Sequence, residues 1–222
     1  PRRCHAPRPD DRIRRCAGKA MTTTECIVFD AVTVERRNTF RFDVWYANHY
    51  LPQLFGRGRF VALRRYLSPI RGTYLAVLEA GPGFPLERLD GLLGPEHELI
   101  ASVERFAADS LGSRRAPGVD EHVFDAGVVY PVLFRVPAER EREFDAWYDE
   151  EHLDILLRCP HWPACRRFRI RDPKPDGWTH LALHYLTDLR ALESPERDAA
   201  RSTPWRARLA AEPWFRGEYR VY

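Results

Sequence analysis

Apolar residues along the chain fall into short blocks whose spacing changes from block to block. Cys26–Val34 is apolar at most positions and rich in β-branched residues, which predicts a strand. Asn38–Phe55 follows with apolar residues three and four apart, the spacing of a helix with one buried face. Phe60–Leu67 and Tyr74–Leu78 read as two more strands. Residues 86–108 have helical spacing broken near Gly94 and Pro95, and a fourth strand is expected near Val119–Asp125. The order then recurs. Val128–Val136 reads as a strand, Glu139–Leu157 as a helix, and Ala164–Ile170 and Leu181–Leu186 as strands. Helical pieces lie within 188–211, and Glu218–Tyr222 closes the series. Residues 109–122 are expected to connect two βαββαβ units.

The recurrence extends to residue identity. Residues 42–66 and 144–168 align without a gap at an offset of 102. Phe42/Phe144, Asp43/Asp145, Trp45/Trp147, Tyr46/Tyr148, Leu51/Leu153, Leu54/Leu156, Ala62/Ala164, Arg64/Arg166 and Arg65/Arg167 are identical pairs. A repeat of this length means two copies of one structural unit. The strands are apolar on both faces: Val128, Tyr130, Val132 and Phe134 alternate with Val129, Pro131 and Leu133. Helices of the same unit cover one face. The other needs a second apolar surface, and the sheet of the other unit has the same need. The expected fold is therefore α+β: tandem ferredoxin-like βαββαβ repeats packed sheet to sheet. The expected division is 1–22 as a leader, 23–125 as the first repeat and 126–222 as the second.

The chain has 222 residues, 44% of them hydrophobic and 30% charged, the profile of a globular protein. No run approaches 18 apolar residues, so no transmembrane helix is expected. The formal charge is +3, but residues 1–20 alone carry seven basic groups against Asp10 and Asp11, so the rest sums to −2. That removes the basis for nucleic-acid binding by the body of the chain. The leader has no apolar h-region and reads as a disordered segment translated from upstream of a start at Met21, or as a functional tail. Cys4, Cys16, Cys26, Cys159 and Cys165 give neither a zinc spacing nor a disulfide framework, which leaves a reducing, cytoplasmic setting as the expectation. Arginine outnumbers lysine by 33 to 2, a bacterial-type bias of genome composition.

The helices carry the candidate chemistry. On an ideal helix starting at Phe144, Trp147, Tyr148 and Ile155 define the buried stripe, Glu151 falls at about 340° in its middle and His152 at about 80° on its edge. In the first copy His49 takes the place of Glu151, and Tyr50 that of His152. A buried ionisable group ringed by aromatics is a candidate pocket group, and a carboxylate there must find a partner or take up a proton. The expectation is a cavity between helix and sheet in each half, with Glu151, His152 and His49 as catalytic candidates. Tyr46, Tyr50, Trp147 and Tyr148 would line it. One of each arginine pair, Arg64 or Arg65 and Arg166 or Arg167, points inward, toward a carboxylate or a ligand anion; Arg64 and Arg166 are the candidate ligand contacts. The competing reading has Glu151 or His49 bonding a backbone carbonyl or an arginine such as Arg166. His180 and His184 share one strand face, which suits a metal or haem, or plain hydrogen bonding inside a barrel; no third ligand stands at a suitable spacing. No phosphate loop, dinucleotide fingerprint or nucleophile elbow appears.

The segment Trp147-Tyr148-Asp149-Glu150-Glu151-His152-Leu153, followed by Arg166-Arg167-Phe168, resembles the dimeric α/β-barrel superfamily, particularly its EthD-like branch. The resemblance covers most of 25–222 as two copies and is best in the second. It implies one polypeptide forming the barrel that other members form by dimerising, hence a monomer with an internal pseudo-dimer, with further association open. It also implies an enzyme acting on a small apolar or aromatic molecule without cofactor or metal: a cyclase, an isomerase or a cofactor-free oxygenase. A non-catalytic binding or accessory protein is the alternative, and a haem-dependent enzyme a second one, conditional on His180 or His184 facing a cavity large enough for a porphyrin. The first copy departs from the motif at Asn48-His49-Tyr50.

Overall fold

The computed structural model describes residues 26–68, 72–92 and 98–222; the leader and the Gly94-Pro95 break lie outside them. Eight strands form one antiparallel sheet: β1 Cys26–Val34, β2 Phe60–Leu67, β3 Thr73–Ala80, β4 Ile100–Arg115, β5 Val128–Phe134, β6 Ala164–Ile170, β7 His180–Leu186 and β8 Gly217–Tyr219. Their spatial order is β2-β3-β1-β4-β6-β7-β5-β8. Each half, β2-β3-β1-β4 and β6-β7-β5-β8, has the same ferredoxin-like order. Expected and observed strands agree to the residue at β1, β2 and β6, where β-branched and aromatic residues are dense.

The two halves meet in two ways. Strand alternation sends Ile27, Phe29 and Ala31 of β1 and Val129 and Leu133 of β5 to one face. There they share a single core with Leu75, Val77, Phe168, Leu181 and Leu183. This is the sheet-to-sheet packing expected from the doubly apolar strands. The opposite alternation places Val28, Val32 and Val34 against the first half's helix, and Tyr130, Val132 and Phe134 against the second half's helices. Burying a side chain such as Phe29 or Leu183 contributes about 1.5–3 kcal/mol. The halves also join edge to edge through β4 and β6, from Ala108–Ile170 to Arg115–Ala164. A register shift between Ser110 and Gly112 bends this seam, and Gly112, at φ 138°, takes a conformation that side chains resist. The symmetric join would pair β8 with β2. β8 has only three residues and pairs with β5 alone, so the sheet is curled but open on that side.

The stretch read as helix over residues 86–108 is different. Only Leu86–Leu89 forms a short 3₁₀ turn, and Ile100–Arg115 is the fourth strand. The expected strand at Val119–Asp125 is instead a 3₁₀ turn, Glu121–Asp125. The spacing of Ile100, Val103 and Phe106 mimics a helix face. Hydrogen-bonded neighbours on both sides, β1 and β6, decide for strand regardless of the good helix formers Ala107 and Ala108.

Each first helix is interrupted at the same place. In the first half α1 (Thr39–Trp45) passes through a π-turn, Tyr46–Tyr50, into α2 (Leu51–Arg57). In the second, α3 (Glu141–Trp147) passes through a π-turn, Tyr148–His152, into α4 (Leu153–Leu156). Pro52 lacks an amide proton and follows the first π-turn, but Asp154 stands in its place in the second half. Proline is therefore not the common cause. A π-turn inserts one extra residue, so every later position rotates by about 100° against an ideal helix. Leu54 and Leu156 thereby come round to the buried face. Two more helices cover the second half, α5 (Pro195–Arg201), capped by Ser194, and α6 (Pro204–Ala210), capped by Thr203.

Candidate functional site

The π-turn rotation decides which side chains face the sheet. On an ideal helix these would be His49 and Glu151; in the structure they are Tyr50 and His152. His49 is exposed on the outer side of its helix. Glu151 accepts a hydrogen bond from the Thr203 hydroxyl at 2.6 Å and ties the π-turn to the cap of α6. Neither lines a cavity, so both inward assignments are corrected. Glu151 does have the partner that its partial burial demands, a hydroxyl rather than Arg166.

In the second half the helix-to-sheet space is partly open. Tyr130, Val132 and Phe134 of β5 form its floor. Trp147, Tyr148 and His152 form one wall, with Trp162 and His184 at the inner end and Phe215 and Tyr219 on the far side. Water centres find about 40 Å³ there, inside a larger void of about 450 Å³ that opens to solvent. Arg197 and Arg201 of α5 and Arg206 of α6 stand at its rim.

A hydrogen-bond chain runs along the inner end. The Trp162 indole donates to Nδ1 of His184 at 2.9 Å. An indole N–H can only donate, so Nδ1 carries no proton and the neutral ring holds its proton on Nε2. Nε2 then donates to the Tyr148 oxygen at 2.8 Å, which leaves the phenol's own proton for an acceptor in the cavity. Burial, with His152 and Arg167 nearby, holds His184 well below the usual histidine range, so it stays neutral. Burial likewise raises Tyr148 well above an ordinary phenol, so it is a proton donor and not a phenolate.

His152 is the polar group of the helix wall beside Tyr148. Its ring lies on Trp147 at 4.6 Å between centroids and meets Tyr148 at 5.0 Å. Nδ1 is buried without a hydrogen-bond partner, and the Ala200 backbone lies near the ring. Burial first, and then Arg206, Arg167 and Arg201, lower its pKa to about 3, so the ring is neutral. With the ring proton on Nε2, the buried Nδ1 presents a bare lone pair. A neutral imidazole acceptor and a phenol donor on one apolar wall can take a proton from one atom of a ligand and give one to another.

The same space in the first half is filled. Asp30 stands where Val132 does, Tyr50 where His152 does, and Leu78 where His184 does. Tyr50 donates to Asp30 at 2.8 Å, and Arg105 reaches both Asp30 oxygens and the Tyr50 oxygen at 3.1 Å. Arg105 also donates to the Leu89 carbonyl. Tyr46 packs on this plug, its hydroxyl buried and without a partner. Tyr46 and Tyr50 are therefore structural neighbours of a plug and not the walls of a cavity.

Arg64 and Arg166 point away from the helices, into the shared core. Both donate to Oε1 of the buried Glu79, at 2.7 and 2.6 Å, and Arg64 also reaches Asp125. They bind a carboxylate, so the ligand-contact reading is corrected. The partner arginines face the helices. Arg65 lies over Tyr46 at 4.2 Å and pairs with Asp43; Arg167 lies over Tyr148 at 4.7 Å and pairs with Asp145 and Asp149. This clamp explains why Asp, Tyr and Arg are identical in the two copies.

His180 sits outside the cavity, with Nδ1 2.9 Å from the Thr179 hydroxyl and Nε2 3.8 Å from Asp145. Both His184 nitrogens are engaged. Neither residue meets the condition set for haem, since His180 lies outside the cavity and both nitrogens of His184 are taken. Among the described residues no group of three or more His, Cys, Asp or Glu is placed to hold a metal ion, and no helix is long and apolar enough to cross a membrane. Sequence reasoning missed Trp162, Phe215 and the three rim arginines. Only the i, i+4 spacing of Arg197 and Arg201 was there to be read.

No protein-family profile matches the chain, and no curated protein matches it significantly. Solved structures do. An anthrone oxidase-like protein is similar at a TM-score of 0.61 and 10% identity, over 90% of this chain and 91% of that one. A chlorite dismutase from Candidatus Nitrospira defluvii is similar at 0.59 and 11%, over 90% of both chains. A putative monooxygenase from Lactobacillus acidophilus NCFM gives 0.53 and 8%, over 90% and 93%. At these identities the likeness is one of fold: the chain has the dimeric α/β-barrel fold.

Proposed function

We propose that the chain binds a small, largely aromatic molecule in the cavity of its second half and transfers a proton on it. Residues 23–125 and 126–222 serve as its two repeat units, only the second of them active. The observation that carries this is the bare, buried Nδ1 of His152 on the wall that also presents the Tyr148 hydroxyl. A buried acceptor without a partner costs about 1–3 kcal/mol, and a ligand that donates to it recovers that energy. His152 takes a proton from an acidic C–H or a phenol, and Tyr148, set in place by His184 and Trp162, donates to the oxygen on which charge gathers. Such a step serves a cyclase, an isomerase or an oxygenase that activates its own substrate, all chemistry within a single chain and a reducing cytoplasm.

The test is deuterium exchange. Small carbon acids, such as 1,3-diketones and dihydroxynaphthalenes, are incubated with the protein in D₂O and followed by proton NMR. Exchange above the buffer rate that vanishes in His152→Ala, with binding retained, is the expected result. Binding without exchange across the panel would leave a binding or accessory protein as the reading. A Soret band appearing on haem addition, and lost in His152→Ala, would overturn the proposal in favour of haem.

A further inference from the structure

We infer that the ligand of this cavity is an anion, an aromatic carboxylate whose ring enters the aromatic-lined space while its carboxylate is held by Arg197, Arg201 and Arg206 at the rim. The inference rests on the cavity being a ligand site and adds the charge of what it takes.

Arg197 and Arg206, both half-buried, differ from the other buried and half-buried arginines among the described residues, which all pair with a carboxylate; Arg201 is exposed beside them. Arg64, Arg105, Arg166, Arg167 and Arg171 all end on carboxylates. Among the described residues no carboxylate lies within ion-pair distance of Arg197, Arg201 or Arg206, although Glu193, Glu196 and Asp198 belong to the same stretch of chain. Their own bonds are to neutral groups. Arg197 donates to the Leu192 carbonyl at 2.7 Å and bonds the Tyr130 hydroxyl. Arg206 reaches the Arg201 carbonyl at 3.4 Å and lies over the Phe215 ring at 5.8 Å.

Two short helices thus bring three positive charges to one rim, Arg197 and Arg201 one turn apart on α5 and Arg206 near the start of α6. Like charges so placed repel, and an anion between them relieves that repulsion. Guanidinium groups take carboxylates in paired hydrogen bonds, which also fixes orientation. The wall below is aromatic, with one unpartnered acceptor at His152. A ring with a carboxylate at one end and an acidic hydrogen further in satisfies both. The anion would also offset the positive charges beside His152, making its nitrogen a stronger base only when ligand is present.

The experiment compares 2-naphthoate with 2-naphthamide, of equal shape but neutral, by titration calorimetry on the full chain. Naphthoate should bind roughly ten-fold or more tightly than the amide. In the Arg201→Gln/Arg206→Gln double variant that preference should collapse to within about two-fold, through loss of naphthoate affinity. Arg201 is exposed and Arg206 partly so, and neither holds a carboxylate among the described residues, so unfolding midpoints of the double variant serve as the check on its fold. Equal affinities in the parent protein would overturn the anion inference and leave the cavity reading standing. A preference that survives the double variant would overturn the assignment to these arginines. Binding of neither compound would overturn both readings.

Discussion

The Tyr50 hydroxyl donates to the buried Asp30 carboxylate at 2.8 Å, and that bond closes in the first half the space that stays open beside His152 in the second. Tyr50 and His152 are equivalent positions of the repeat, both turned to the sheet by a π-turn. What lies opposite them differs. Asp30 with Arg105 completes a polar plug, whereas Val132 is an apolar floor with nothing to offer a ring nitrogen.

The plug should be structural. Asp30→Ala leaves Arg105 and Tyr50 buried without their anion, a loss of about 3–5 kcal/mol. Tyr50→Phe removes one bond to a charged group, about 1.5–3 kcal/mol. Urea unfolding midpoints should rank them in that order. Binding in the second-half cavity by the folded fraction should be unaffected.

Arg167 should matter more than Arg65, its counterpart in the repeat. Arg167 holds two carboxylates, Asp145 and Asp149, while Ala47 stands where a second partner of Arg65 would be. Arg167 is also 5% exposed against 27% for Arg65, so less solvent screens its pairs. Arg167→Lys, which loses the forked geometry, should destabilise more than Arg65→Lys, by about 1–2 kcal/mol. Guanidinium chloride unfolding of the two variants would decide; equal losses would contradict the clamp as described.

Acid should unfold the protein through its buried histidines. His152 is lowered to about 3, His180 to about 4 and His184 well below 6.5. The folded chain keeps these rings neutral where the unfolded chain protonates them. Stability is therefore whole above about pH 6.5 and falls as pH drops toward 4, by at most about 1.4 kcal/mol per pH unit for each histidine. His180→Gln, outside the cavity, should make that slope shallower. Chemical unfolding between pH 7 and 4 measures both slopes, and parallel lines would refute the contribution of His180.

The tautomer of His184 is directly observable. Long-range proton–nitrogen correlation should show Nε2 protonated and Nδ1 bare. Trp162→Phe removes the donor that fixes this state and should yield mixed tautomers with a loss of about 1–3 kcal/mol. Under the proposed chemistry, proton exchange in that variant should fall more than binding, because Trp162 acts only by positioning.

The sequence by itself determined the repeat, seven of the eight strands, the two-sided apolar character of those strands and hence the shared core. Each of these follows from composition and spacing within one segment. Arg64 and Arg166 show where that reading stops. The period of two says that successive strand residues face opposite ways, but only the sheet order says which face meets the helices and which meets Glu79. β4 shows the same limit, since its spacing suits a helix until β1 and β6 flank it. The site itself turned on one residue of helical phase. A π-turn leaves no mark in the spacing of so short a helix, and it exchanges Glu151 for His152 and His49 for Tyr50. That the helix-to-sheet space is plugged in the first half and open in the second was settled by Asp30 against Val132, each twenty residues from the helix side chain it faces. Contacts of that kind exist only once the chain has closed on itself.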